Sequence, residues 1–182
     1  GGSSFVRLST CPSASRTLDI GGSSIGLGSG DFRVSEFELS MILAANLTVL
    51  TTGSSSVIRV YSVSASDVAG VTDRVSLDAS VTGGSISFLS SSVWRGLTAS
   101  AGSGITISSN ISTTVSSLWL DGNADLSGSD SITITVDSIW LSASGGLSSQ
   151  LILQPSASGS ISAIAPVYWS GSNGIQVLAA VS

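Results

Sequence analysis

Ser116 to Gly146, SSLWLDGNADLSGSDSITITVDSIWLSASGG, states one pattern and then begins to state it again. Set under one another, the four tryptophans extend it. Each has an apolar residue before it and, after a small or polar turn, a short alternating run: SVW94 then ITI, SLW119 then ITI, SIW140 then LIL, VYW169 then IQV. The tryptophans are roughly 21 to 29 residues apart. A period of that size with β-type alternation inside it marks a solenoid whose coils share one core.

Alternation also assigns faces. In Ser117-Leu118-Trp119-Leu120-Asp121 a period of two puts Leu118 and Leu120 on one side and Trp119 on the other. Val93, Leu118, Ile139 and Tyr168, each just before a tryptophan, are therefore expected inside. Trp94, Trp119, Trp140 and Trp169 are expected to form an outer column with about 4.8 Å per coil, an interface candidate. The competing expectation turns some rings inward or covers them with a loop.

The chain has 182 residues, 42% of them hydrophobic, which is enough for one sizeable core, and it is read as a single segment over residues 1–182. Only 9% are charged, the cations are all Arg, and about a quarter of the residues are Ser, so the surface is neutral and rich in hydroxyls. A net charge of -5 and a pI near 4.2 argue against a nucleic-acid partner, which needs a basic stripe. No apolar run approaches 18 residues, so no transmembrane segment is expected. A start at Gly-Gly-Ser-Ser reads as a mature or excised piece. Cys11 is the one cysteine, read as a small buried hydrophobe, and histidine is absent. Ser-His-Asp and Cys-His mechanisms are thereby excluded, and no cofactor is expected.

Phe5 to Ile20 reads as two strands around a Thr10 to Arg16 turn. Glu36 to Ala45 has the propensity of one short helix, before Leu47-Thr48-Val49-Leu50 returns to β residues. Val57 to Val63 and Val75 to Val81 alternate, with Val75, Leu77, Ala79 and Val81 on one face. Short strands broken by Gly, Ser, Asn and Asp also suit an antiparallel β-sandwich. Recurrence of Trp, Ile-x-Ile and Gly-Ser in phase favours a right-handed parallel β-helix with coils of about 20–29 residues. The two ends also match: VLAAVS followed by GGSSFVRLS mirrors VSLDASVTGGSISFLS at Val75 to Ser90. That match predicts a piece of a longer array with no polar cap at either end.

Arg16-Thr17-Leu18-Asp19-Ile20-Gly21, then Glu38-Leu39 with Ile42, then Leu47-Thr48-Val49 before Gly53, form a phrase that resembles the repeat region of filamentous haemagglutinin-like, two-partner-secretion exoproteins. Leu151-Ile152-Leu153-Gln154-Pro155 with Gly159 and Ile161 resembles it again. The resemblance implies a secreted, elongated β-helix used for adhesion or as a surface fibre.

Asp121-Gly122-Asn123-Ala124-Asp125, with Asp130, sets oxygen ligands as a calcium loop does, but Leu126 stands in place of the turn glycine and Ile132 in place of the bidentate Glu. The expectation is a polar corner without a metal. Gly26-Leu27-Gly28-Ser29-Gly30-Asp31 matches a calcium-binding nonapeptide once, where such rolls need tandem copies. Gly22-Ser23-Ser24-Ile25-Gly26 fits the nucleophile-elbow string, yet no His exists to activate the serine. Asp121, Asp125, Asp130 and Asp137 are the candidates for a carboxylate pair of the glycosidase or lyase kind, with no cation beside them. No enzyme is expected. Asn46-Leu47-Thr48 and Asn110-Ile111-Ser112 are glycosylation sequons, and Asn110, at a corner, is the better placed. Thr133-Ile134-Thr135 resembles one element of an ice-binding ladder. The whole predicts a structural or adhesive segment of an extracellular, cell-surface filament whose partners are copies of itself, end to end or side by side, and glycans. The alternative is a carbohydrate-binding or carbohydrate-cleaving β-helix.

Overall fold

Val, Ile and Leu alternate with Ser and Thr along much of this chain, and in strands such as Ile105–Ile107 and Ile132–Ile134 the alternation gives extended backbone with Ile105, Ile107, Ile132 and Ile134 inward. The computed structural model describes residues 4–10, 15–23, 31–127, 130–136, 139–144, 149–155, 160–163 and 167–177. Its strands form three sheets. Sheet A contains, in spatial order, β1 (Phe5–Ser9), β4 (Ala44–Leu50), β6 (Val71–Ala79), β9 (Leu97–Ala101), β12 (Leu118–Asp121), β15 (Leu151–Gln154) and β18 (Ile175–Val177). Sheet B runs β3 (Phe32–Val34), β2 (Thr17–Ile20), β5 (Val57–Val60), β7 (Ser85–Phe88), β10 (Ile105–Ile107), β13 (Ile132–Ile134), β16 (Ile161–Ala163). Sheet C has four strands, β8 (Ser92–Trp94), β11 (Ile111–Thr113), β14 (Ile139–Ala143) and β17 (Val167–Gly171).

Every pairing among these strands is parallel, and from β9 to β18 the chain visits A, B and C in rotation. The molecule is all-β with parallel sheets, an arrangement compatible with a β-solenoid. Like residues meet in register. One column of sheet A runs Val6, Leu47, Val75, Leu97, Leu118, Leu151, Ile175. Its counterpart in sheet B runs Phe32, Leu18, Ile58, Ile86, Ile105, Ile132, Ile161. The inner members of both are essentially free of solvent and belong to one core cluster. Ile105 and Ile132 are thus neighbours, whereas Leu151, which opens the run LIL after Trp140 as Ile132 opens the run ITI after Trp119, belongs to sheet A rather than to their column.

Most circuits have the expected 20–29 residues, and two are longer. Leu47 to Val75 spans 28, Val75 to Leu97 spans 22, Leu97 to Leu118 spans 21 and Leu151 to Ile175 spans 24, but Leu118 to Leu151 spans 33 and Val6 to Leu47 spans 41. The surplus lies between strands, and in the longest circuit it contains β3 and a helix. After β2 the chain turns at Gly21, whose φ of +76° and whose closeness to Ser62 O, 2.7 Å from where a Cβ would sit, both call for glycine. It then returns to the far side of β2 as β3, and Glu36–Ser40 follows as α1, shorter than the expected Glu36 to Ala45. Ser35 and Glu38 close a capping box on α1, and Leu39 enters the core.

At this end β3 is the edge strand of sheet B, with α1 following it and carrying Glu36 and Glu38 in its first turn, and β1 is the edge strand of sheet A. The two halves matched in the sequence do not take the same place in the sheets. Phe5–Ser9 pairs in sheet A, whereas its internal counterpart, Ser85–Phe88, pairs in sheet B; residues 178–182 lie outside the described residues. Among the described residues no helix is long and apolar enough to cross a membrane.

Candidate interaction surface

The single outward tryptophan column is corrected. Trp119 and Trp140 point outward as alternation predicts, but they stand on different sheets, A and C. On β8 the phase is reversed: Ser92 and Trp94 face inward, and Trp94 is fully buried. Its in-register neighbour is Thr113, and the same inward column continues through Ala143 to Gly171. On β17 the phase is reversed again, so that Trp169 packs against the core beside Leu141, and Tyr168 takes the outward position.

What sheet C presents instead is a pair. Trp140 and Tyr168 are in register, 52% and 45% exposed, with ring centroids 4.6 Å apart and planes 14° from parallel. Asn110 precedes β11 at the same register as Trp140 and is exposed. Its Oδ1 accepts a bond of 2.8 Å from the Trp140 backbone N–H. Two residues along each strand runs a hydroxyl row, Ser112, Ser142 and Ser170, also facing outward. The four strands of sheet C hold no charged residue. Sheets A and B, by contrast, carry Arg7, Asp73, Arg74, Asp78 and Asp121, and Asp19, Arg33 and Arg59, respectively.

Trp119 sits outward in sheet A between Thr98 and Ile152, and Ile152, though outward, is only 8% exposed. Asn46, the other sequon, lies within β4 between Phe5 and Arg74 and is half-buried, less open than Asn110.

The acidic loop is a chain of Asx turns. Asp121 Oδ1 accepts from Asn123 N–H at 3.1 Å, and Asp125 Oδ1 accepts from Ser127 N–H at 3.0 Å. Asp78 makes the same turn with Ser80 N–H, two circuits away along the register from Asp121 through Ser100. Asn123 is buried, and with its amide turned to suit its neighbours Nδ2 donates to Ser127 O at 2.7 Å. Leu126, at the expected glycine position, has a φ of +58° and is exposed. Burial pushes the Asp121 carboxyl above its usual range, opposed by the bond from Asn123 N–H. Asp130 is half-buried, while Asp137, Cys11 and the segment 24–30 lie outside the described residues. Among the described residues no three acidic or cysteine side chains are grouped as metal ligands.

Two open hollows flank β3. The first, about 310 Å³, is lined by Ser9, Thr10, Arg16, Asp31 and Phe32; the second, about 280 Å³, by Leu8, Phe32, Arg33, Val34, Glu38 and Ile42. Each holds a single carboxylate, and both are engaged. Asp31 accepts from Thr17 N–H at 3.0 Å and pairs with Arg16 at 3.3 Å, and the Thr17 bond in particular holds it below the usual carboxylate range. Glu38 is held low by the Ser35 backbone N–H of the capping box. A glycosidase needs two carboxyls facing one another, and neither hollow lining supplies a pair. Sequence reading also missed the ion pair of Asp19, fully buried on the outward side of β2, with Arg59 beside it in register at 2.7 Å. An Asp in the middle of a Leu-x-Ile strand was its one signal.

No family model, curated protein or solved structure matches this chain.

Proposed function

We propose that this chain is a stretch of right-handed parallel β-solenoid, non-enzymatic, that serves a structural and adhesive role in a long extracellular surface fibre. The observation that carries this reading is the pair of apolar columns, aliphatic but for Phe32, continuing in register across the seven strands of each of sheets A and B. Such a core can be extended by further circuits without redesign, because each circuit touches only its neighbours. A right-handed path follows from the usual hand of parallel crossovers. The hydroxyl-rich, weakly charged exterior and the phrase Arg16 to Gly21, similar to that of filamentous haemagglutinin-like exoproteins, support a fibre over a catalyst. Edge strands such as β1 and β18 offer backbone N–H and C=O groups to a further strand, which supports end-to-end contact between copies.

Electron microscopy and sedimentation of the purified chain over a range of concentrations test this. Filaments or a concentration-dependent series of end-to-end oligomers are expected. A species that stays monomeric at every concentration, with no filament on the grid, overturns the reading.

A further inference from the structure

We infer that the outer face of sheet C is a binding face for a neutral oligosaccharide, held by the Trp140–Tyr168 pair; this rests on the adhesive role proposed above and names what is adhered to. Four observations converge on that face. Trp140 and Tyr168 expose about half of their surface on a β-strand, where an unpartnered indole and phenol side by side are costly to leave in water. Their mutual stacking covers one face of each ring. Because the rings stack along the register direction, the second face of Trp140 looks toward the level of β11, where Asn110 stands.

Asn110 commits Oδ1 to the Trp140 N–H, and its Nδ2 makes no bond among the described residues. The indole wall therefore meets a polar floor that offers amide hydrogens. The hydroxyls of Ser112, Ser142 and Ser170 run alongside, displaced by two residues, or about 6.6 Å, from the aromatic column and repeating at about 4.8 Å.

A pyranose ring has two such sides: a face of C–H bonds that lies against an aromatic ring, and a rim of hydroxyls that needs donors and acceptors. Apolar contact with a few placed polar groups is what binding sites for such ligands consist of. Charge selects the class. The four strands of sheet C hold no charged residue, and Arg95, which follows β8, gives its Nε–H to Thr72 O, so the strands themselves offer no charge to a sulfated or acidic polymer. Trp119 does not belong to it, since it stands on sheet A against Ile152.

The test uses the whole chain made without glycosylation, so that Asn110 carries no attached sugar. Cellohexaose and laminarihexaose serve as neutral probes and a heparin fragment as the charged one, with binding read by calorimetry and tryptophan fluorescence. Binding of at least one neutral probe is expected, insensitive to salt and stronger than that of heparin. Trp140→Ala and Tyr168→Ala should each weaken it about tenfold or more, and Trp119→Ala should leave it within about twofold. Circular dichroism checks that the variants fold, and Asn110→Ser, which keeps a polar floor but removes the amide, gives a second and smaller loss. Wild-type protein that binds neither neutral probe, prefers heparin, or binds equally well after Trp140→Ala overturns the proposal. So does dispersal of an oligomer by Trp140→Ala in a chain that binds no sugar, which would make the face a contact between copies. Loss of filaments with sugar binding intact would instead sink the fibre reading and leave this one standing.

Discussion

Asp121 ends β12 with its carboxyl half withdrawn from water, and burial raises its pKa against the pull of Asn123 N–H. A carboxyl whose folded value is raised above its unfolded one takes up its proton more readily in the folded chain. Its contribution to stability is therefore favourable as pH falls toward the unfolded value and unfavourable once pH rises through the folded one. Asp121→Asn keeps an Oδ1 acceptor for Asn123 and removes the charge. At neutral pH the variant should melt above the wild type, and the gap should close on acidification to about pH 4 and below. Calorimetry across pH reads this directly; a wild type that melts higher than the variant at neutral pH would show that the charge is favourably held. At this scale alternation in the sequence predicted the faces correctly where both flanking residues were large and apolar, as with Leu118 and Leu120 around Trp119. It misled at Trp94, because apolar Val93 takes the outward place while Ser92 is accommodated inside. The residue that Trp94 meets in register, Thr113, lies 19 residues later in the chain, beyond the reach of a local pattern.

A strand here contributes as few as three residues, so its stability lies in the column it joins. Ile132 shows this: it is fully buried, with Ile105 on one side and Ile161 on the other. Truncation to Ala should cost about 2 to 5 kcal/mol by the loss of transferred methylenes and the cavity left behind. Thr133→Ala, one residue on and outward-facing, should stay within about 0.5 kcal/mol. Denaturant titration of the two variants decides it; near-equal losses would mean that inside and outside are misassigned. The Ile-x-Ile strands were legible because period two and β-branching agree. Which sheet each strand joins was not, since Leu151 follows the same local rule as Ile132 and only corner length separates them. The helix was half legible. Its capping box, Ser35-Glu36-Phe37-Glu38, is a sequence signal for its start, and the β residues from Ala44 onward cut it short.

For the molecule as a whole, the sequence carried the parallel β class but not the backward step that places β3 outside β2. That step depends on a glycine turn at Gly21 and on pairing of Leu18 with Phe32, and no period announces it. Parallel layering also decides how the chain would bear a load. β1 and β18 are the two opposite edges of sheet A, so tension applied through them runs across the strands, along the hydrogen bonds that join one strand to the next. Bonds loaded in that direction break in succession, as in a zipper, rather than sharing the force as strands do when sheared lengthwise. In a single-molecule pulling experiment the chain should lengthen through a series of modest yields. Circuits of 21 to 41 residues would release about 7 to 14 nm each at full extension. One abrupt rupture to the full contour length would contradict this. A tether that lets out slack stepwise keeps its far end attached while it absorbs a jolt, which suits a surface fibre exposed to flow.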